Sequence, residues 1–182
     1  MKTLIVILLI SISFSGFVAG QNSITNRNII RIGAAYSRFG EDDGFTFFNE
    51  YQFRLGNKFS VGPNFYFTRT GYFLDNKSAI TYLLGVDLNV YYSLLKSENT
   101  SISIGTGYSF RHQDFSMNFP SILGPDDNFG LIQHTNQSGA VINFIYENKI
   151  SEKWNAGLKS SWQAFGTMES LFYIGLFGGF KF

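Results

Sequence analysis

Residues 171–182 constrain the fold most, because they alternate with the period of a β-strand and are almost entirely apolar. One face carries Phe172, Ile174, Leu176, Gly178, Phe180 and Phe182, and the other carries Tyr173, Gly175, Phe177, Gly179 and Lys181. An apolar strand at the edge of a soluble sheet promotes aggregation. A closed barrel in a lipid bilayer has no edge, and its outward side chains contact hydrocarbon. This stretch therefore predicts the closing strand of a transmembrane β-barrel.

The same period-two alternation recurs along the chain and predicts eight strands. They cover residues 28–38, 45–55, 59–68, 79–94, 101–111, 137–147, 154–165 and 171–182. A tilted strand needs about 9–11 residues to cross a bilayer. Short turns at 56–58, 95–100 and 148–153 contrast with longer connections at 69–78 and 113–135, an asymmetry typical of membrane barrels. The pattern predicts an all-β, eight-stranded, antiparallel up-and-down transmembrane β-barrel with both termini on the periplasmic side.

Two residues disturb this pattern. Asn49 interrupts the outward apolar face of the second strand, and the sequence offers no reason for it. Pro63 lies inside the third strand, although proline cannot donate a hydrogen bond to a neighbouring strand. We expect a β-bulge at Pro63.

The N-terminus has the pattern of a secretory signal peptide. Lys2 precedes an apolar run over residues 4–14, and Val18, Ala19 and Gly20 provide small residues before Gln21. We predict a cleaved signal peptide at 1–20 and a single barrel domain at 21–182. The alternative is an uncleaved membrane anchor over residues 4–19, although a spanning helix needs about 20 apolar residues.

The composition narrows the class of protein. The chain has 21 Phe and 10 Tyr, and the predicted strands place many of the aromatic residues in two outward belts. The outer, upper belt has Tyr36, Phe45, Phe67, Tyr82, Phe110 and Trp162, and the inner, lower belt has Phe53, Phe59, Tyr92, Tyr146, Trp154, Phe180 and Phe182. A net charge of +1 gives no electrostatic case for nucleic acid. The absence of Cys excludes disulfides, thiol catalysis and a lipoprotein anchor. A soluble barrel of lipocalin type is the alternative, but the interior of eight strands is too narrow for so many large apolar residues.

The predicted inward face is polar and charged. It carries Arg31, Glu50, Gln52, Arg54, Asp87, Asn89, Arg111, Asn143, Glu147, Lys159 and Gln163. Estimated registers place Arg31 near Glu50, and bring Arg54 to Asp87 through Ser60. Buried charges require partners, so we predict a polar network of Arg31, Glu50, Arg54, Asp87, Arg111 and Lys159. Because eight strands leave no open channel, a salt-bridged plug is favoured over a gated pore or proton path.

The long connection at 113–135 mixes apolar and acidic residues. Its aromatic residues Phe115, Phe119 and Phe129 predict a surface contact site. The alternative is that part of this segment extends the fifth and sixth strands above the membrane or folds over the barrel mouth. The acidic pairs Asp42-Asp43 and Asp126-Asp127 lack the spacing of a calcium loop.

His112, His134 and Ser138 raise the alternative of an enzyme, because eight-stranded lipid A deacylases use a His/Ser/acid set at the outer rim. Those enzymes carry a His-x-Ser motif, whereas this chain has His112-Gln113-Asp114 and His134-Thr135-Asn136. We therefore predict no catalytic residue. The sequence also lacks a phosphate-binding glycine loop and a metal-ligand motif, so no cofactor or metal is predicted.

On this architecture, and on its ending Phe180-Lys181-Phe182, the chain resembles the small outer-membrane β-barrels of Gram-negative bacteria, of the OmpX and OmpA-transmembrane type. The resemblance implies that Tyr173, Phe180 and Phe182 form the signal read by the barrel assembly machinery. It also implies outer-membrane lipid and lipopolysaccharide as surroundings and a monomer that binds no nucleic acid.

Function varies among such barrels, which include adhesins, structural anchors, conduits and enzymes. We expect a non-enzymatic protein that makes surface contacts or supports the membrane. One alternative is a narrow conduit for small apolar molecules, suggested by Phe48, Tyr91, Phe165 and Phe177 on the inner face. A lipid A-modifying hydrolase is the weaker alternative.

Overall fold

A computed structural model describes residues 28–74, 77–119, 129–166 and 170–182, and these ranges form eight β-strands. The strands are β1 Ile29–Phe39, β2 Asp42–Arg54, β3 Phe59–Leu74, β4 Lys77–Lys96, β5 Thr100–Phe119, β6 Phe129–Lys149, β7 Trp154–Ala164 and β8 Leu171–Lys181. The predicted signal peptide at 1–20 lies outside the described residues. The described part of the chain contains no helix long and apolar enough to cross a membrane.

The strands pair in chain order and β8 pairs with β1, so the sheet closes into an antiparallel barrel. The closing ladder runs from Ile29 opposite Lys181 to Phe39 opposite Leu171. Asn28 and Phe182 extend it with two backbone hydrogen bonds of 3.0 and 3.1 Å. We call the end that holds Asn28 and Phe182 the lower end, and the opposite end the upper end. The predicted eight-stranded up-and-down barrel is confirmed.

The outward face of the barrel is mainly apolar, and the inward face carries the buried charged and polar residues together with several aromatic rings. Leu88 is 56% exposed and Ile174 is 46% exposed, although both lie in the middle of their strands. The buried positions include Arg31, Glu50, Asp87 and Lys159. A soluble barrel would place its larger apolar face inside, so these positions contradict that alternative.

Inward glycines make room for aromatic rings on the neighbouring strand. Gly85 lies directly opposite Tyr66, and a Cβ atom on Gly85 would lie 2.2 Å from Cζ of that ring. Gly105 stands opposite Tyr91 in the same way. The rings thus lie across the backbone of the glycines, which lets a narrow barrel hold several large side chains in its interior.

Strands β5 and β6 extend well beyond the predicted bounds. They pair from Thr100 opposite Asn148 to Phe119 opposite Phe129. Much of the predicted loop at 113–135 is therefore a β-ladder, and the alternative that this segment extends the two strands is confirmed. The predicted loop at 69–78 is likewise mostly strand, since β3 reaches Leu74 and β4 begins at Lys77. Above Phe110 the outward phase of β5 is polar, with His112, Asp114 and Ser116, and the apolar residues Phe115 and Met117 lie in the inward phase, so the pattern of a lipid-facing strand ends there.

The prediction of a β-bulge at Pro63 is wrong. The β2–β3 ladder pairs Glu50 with Asn64 and resumes at Phe53 with Val61, and the register is the same on both sides. Two pairs are simply omitted around the proline, which cannot donate a hydrogen bond. The register shift lies instead between Ser93 and Leu95 in β4.

Candidate functional site: the charged interior

Arg31 on β1 is held by two carboxylates in the lower half of the interior. Its Nη1 donates to Oε1 of Glu50 at 2.6 Å, and Glu50 lies directly opposite on β2. Its Nε and Nη2 donate to Oε2 of Glu147 on β6, at 3.0 and 2.7 Å. All three side chains are buried. The predicted Arg31–Glu50 contact is confirmed, and a charge-assisted fork to Glu147 adds geometric specificity.

Glu50 also binds groups from the other side of the barrel. Nζ of Lys159 on β7 donates to Oε2 of Glu50. The hydroxyl of Tyr91 on β4 donates to the same oxygen at 2.7 Å. Lys159 and Glu50 are fully buried, so the ammonium of Lys159 depends on Glu50 for compensation, whereas Glu50 is compensated by both Lys159 and Arg31. A single carboxylate therefore links β1, β2, β4 and β7 across the interior.

Asp87 on β4 is the centre of a second cluster, in which uncharged side chains donate hydrogen bonds to its carboxylate. Nδ2 of Asn64 donates to its Oδ2 at 2.8 Å, and Nε2 of Gln163 lies 3.2 Å from both carboxylate oxygens. Nδ2 of Asn64 also donates to the hydroxyl of Tyr173 at 3.3 Å. Amide donors of Asn64 and Gln163 thus bind this buried carboxylate, in place of the predicted guanidinium of Arg54.

The predicted meeting of Arg54 with Asp87 is wrong. Arg54 does lie opposite Ser60, as expected, but Ser60 lies opposite Tyr91, and Asp87 lies opposite Asn64. The estimate failed because the β3–β4 hairpin is longer than predicted, which shifts the register by four residues. Arg54 instead borders a small cavity of about 20 Å³ at the lower end, together with Arg31.

Arg111 fills the upper part of the interior. Its guanidinium carbon lies 3.7 Å from the ring centroid of Phe165 and 4.7 Å from that of Phe39. Its Nε donates to Oε1 of Gln137 at 2.7 Å. Stacking on two rings while donating to an amide is a mode of recognition that arginine performs and lysine does not. Arg111 therefore lies in the interior as predicted, where it contacts Phe39, Phe165 and Gln137.

Known structures share this architecture, although no protein-family model and no curated protein sequence matches the chain. Ail, the attachment invasion locus protein of Yersinia pestis, has a TM-score of 0.60 at 14% identity, over 87% of this chain and 100% of Ail. This chain has the fold of the small outer-membrane β-barrels. OprG of Pseudomonas aeruginosa has a TM-score of 0.58 at 11% identity, over 86% of this chain and 96% of OprG. Neisserial surface protein A has a TM-score of 0.51 at 13% identity, over 85% and 95% of the two chains.

Within this outer-membrane barrel fold, the inner aromatic residues fill space. Phe48, Tyr91, Phe165 and Phe177 are all buried. A depression of about 670 Å³ borders six strands, and its lining is mostly outward-facing residues such as Ile32, Phe47, Phe65, Leu84 and Phe110. Of the four inner aromatic residues, only Phe48 borders it. The packing of these rings favours a plug over a conduit.

The predicted assembly signal is split between the two faces of β8. Tyr173 is buried and points inward. Phe180 packs edge-on against Trp154 with ring centroids 5.0 Å apart, and Phe182 lies 5.8 Å from the ring of Tyr51. The two phenylalanines therefore belong to the lower aromatic belt, whereas the hydroxyl of Tyr173 belongs to the interior network.

The predicted contact residues Phe115, Phe119 and Phe129 lie on strands. Phe115 is on the inward face of β5 and is half-buried, and Phe119 pairs with Phe129 near the top of the β5–β6 ladder. Their predicted placement in an irregular loop is wrong. The contact role itself stays a prediction.

The histidines at the upper rim bind residues other than Ser138. Nδ1 of His112 lies 2.7 Å from Oδ1 of Asn136, and Nδ1 of His134 lies 2.5 Å from Oδ1 of Asp114. Ser138 Oγ instead accepts from Tyr108 at 2.9 Å. The bond to Asn136, and then the charge of Asp114, raises the pKa of His112, while the bond from His134 lowers the pKa of Asp114. A nucleophile needs a base within hydrogen-bond reach, and this geometry does not provide one for Ser138.

The sequence did not indicate Asn64, Tyr91 and Tyr173 as members of the polar network. Each lies at an inward position, in phase with charged residues of its own or a neighbouring strand. The alternation of inward and outward positions along each strand could have placed them in the interior. It could not have shown which of them reach Asp87 and which reach Glu50, because that depends on how opposite walls of the barrel face each other.

Proposed function

We propose that this chain is an integral outer-membrane protein whose interior is a closed, charge-paired plug. In this proposal it acts through its upper surface and as a structural part of the membrane, without catalysis. The observation that supports it best is the buried network in which Glu50 binds Arg31, Lys159 and Tyr91 from three other strands. The apolar exterior supports insertion into lipid, and the predicted signal peptide supports export.

The interior chemistry supports closure rather than conduction. An ion crossing the barrel would have to part Glu50 from Lys159, and both side chains are fully buried. Removing one partner from a buried ion pair costs about 3–5 kcal/mol. The rings of Phe48 and Tyr173 add a packed apolar layer next to these charges, with centroids 5.9 Å apart. The plug is therefore expected to hold the barrel rigid and sealed.

The proposed membrane location also implies which lipids and proteins the chain contacts. Outer-membrane lipid and lipopolysaccharide would cover the outward apolar face, and the barrel assembly machinery would read the closing strand with Tyr173, Phe180 and Phe182. The β5–β6 hairpin rises beyond the belt residue Phe110, and it offers the surface for contact with the environment. We propose that the protein acts as a monomer, because β8 pairs with β1 and the closed part of the barrel leaves no strand edge for a second copy in the membrane.

Conductance measurements test the proposed closure. The mature chain, folded into phospholipid vesicles and fused into a planar bilayer, should show no steady ion-selective current under an applied voltage. Protection of the barrel from added protease establishes that the protein is inserted. Large, steady, ion-selective conductance from the inserted protein would contradict a closed interior.

A further inference from the structure

Three side chains that commonly bind metal ions meet on the outward face of the β5–β6 hairpin. They are His112 and Asp114 on β5 and His134 on β6, and one ligand atom from each lies within 4.8 Å of the others. His134 is directly opposite Asp114 in the ladder, and His112 precedes Asp114 by two residues on the same face. The sequence did not predict this cluster, because only the strand pairing brings His134 to the other two residues.

The two imidazole rings converge on a single point. Nε2 of His112 lies 3.0 Å from Oδ1 of Asp114, and Nδ1 of His134 lies 2.5 Å from the same oxygen. The rings are nearly parallel, at 10°, with centroids 6.1 Å apart. Around tetrahedral zinc, with bonds of about 2.0–2.1 Å, neighbouring ligand atoms lie about 3.3 Å apart. Small side-chain rotations would therefore admit an ion between these three atoms without movement of the backbone.

A fourth residue already orients one of the rings. Oδ1 of Asn136 lies 2.7 Å from Nδ1 of His112, directly across the ladder. When Nδ1–H donates to this oxygen, the lone pair of Nε2 points toward Asp114 and His134. Metal-binding histidines almost always donate their second ring N–H to a carbonyl or carboxylate in this way. Asn136 is thus placed as the support of a ligand and not as a ligand itself.

We propose that His112, Asp114 and His134 form a surface site for one borderline divalent metal ion, Zn²⁺ in the first place. Two imidazoles and one carboxylate match the donors of zinc, and water would complete a four-coordinate site. Ca²⁺ takes six to eight oxygen ligands and Mg²⁺ keeps an octahedral oxygen shell, so neither ion suits these donors. The three side chains are 44–64% exposed, so the ion reaches them directly from the medium. A bound ion would fasten β5 to β6 above the belt.

Calorimetric titration of the untagged mature chain, folded in detergent and freed of metal by a chelator, tests the site. We expect one Zn²⁺ per chain and no comparable binding of Mg²⁺ or Ca²⁺. His112→Ala, His134→Ala and Asp114→Asn should each weaken Zn²⁺ binding about tenfold or more, and Asn136→Ala should weaken it by about 10–100-fold. Ser138→Ala is the matched control, since Ser138 shares this face of β6 and should leave Zn²⁺ binding unchanged.

Modification by diethylpyrocarbonate gives a second readout that needs no variant. Zn²⁺ should protect both histidines of the folded wild-type chain, whereas Mg²⁺ should not. The proposal is overturned by the lack of saturable Zn²⁺ binding, by Zn²⁺ binding that survives both histidine substitutions, or by histidines that react equally with and without Zn²⁺. Because the site lies outside the interior network, none of these results bears on whether the barrel is closed.

Discussion

Replacing Glu50 by Gln should lower the free energy of unfolding by about 3–5 kcal/mol, because it leaves a buried lysine without its counter-charge. Lys159 is fully buried, and Glu50 is the carboxylate that its Nζ contacts. Arg31 loses one of its two carboxylates but keeps Glu147. Urea unfolding of the chain in phospholipid vesicles, followed by tryptophan fluorescence, measures the change. Glu98→Gln is the control, since Glu98 is exposed on the turn before β5, and its effect should stay within about 0.5 kcal/mol.

A double variant separates the missing charge from lost packing. Glu50→Leu combined with Lys159→Met removes both charges and keeps apolar volume, and Arg31 retains its fork to Glu147. Replacing a buried ion pair by apolar residues is often neutral or stabilising. We therefore expect the double variant to recover most of the stability that Glu50→Gln loses. A loss below about 1 kcal/mol for Glu50→Gln would show that the pair is not buried as described.

Replacing Leu88 by Arg should cost about 2–4 kcal/mol of folding free energy in a bilayer, because Leu88 lies at the middle of the outward apolar face. On the same face of β4, Tyr82 and Tyr92 lie six residues before it and four after it. Leu94 lies just beyond Tyr92 and is also exposed, so Leu94→Arg is the matched variant. Its expected cost is only about 0–1 kcal/mol, since an arginine near the interface reaches water.

The decisive result is how the free-energy cost of an arginine depends on its depth in the bilayer. Equilibrium unfolding of both variants in vesicles gives the two costs side by side. Equal costs for Leu88→Arg and Leu94→Arg would contradict a belt in which Leu88 faces hydrocarbon and Leu94 faces the interface.

Apolar alternation was sufficient to predict the parts of the fold inside the two aromatic belts. β1, β7 and β8 have the predicted bounds to within a residue or so, because each alternates over its whole length between lipid-type and interior-type residues. The upper ends of β5 and β6 lay outside the predicted bounds and were foreseen only as an alternative, because above Phe110 the outward face of β5 is polar. There Phe115 and Met117 still alternate with polar residues, but in the inward phase, so the outward apolar stripe that marks a membrane strand is absent.

The alternation of side chains along each strand predicted which residues of the candidate site point inward, but it did not predict their partners. Arg31 and Glu50 were found because a short hairpin sets their register. Lys159 and Glu50 are separated by 109 residues, and their contact depends on the stagger of the closed barrel, which sequence alternation does not contain. The wrong Arg54–Asp87 contact has another cause, the four-residue error in the β3–β4 register. The meeting of His134 with Asp114 was not predicted because it requires the extended β5–β6 ladder.

Quenching of tryptophan fluorescence by brominated lipids tests the central claim, which is that the apolar faces of the strands look outward into lipid. The chain has 2 Trp, and both Trp154 and Trp162 are exposed on the outer surface, in the lower and upper belts. Single-tryptophan variants Trp154→Phe and Trp162→Phe report the two belts separately. We expect strong quenching of each tryptophan by phospholipids brominated near the head of the acyl chain, and weak quenching by aqueous iodide. Tryptophans that brominated lipid does not quench, in a chain that stays monomeric in buffer without detergent, would contradict the claim.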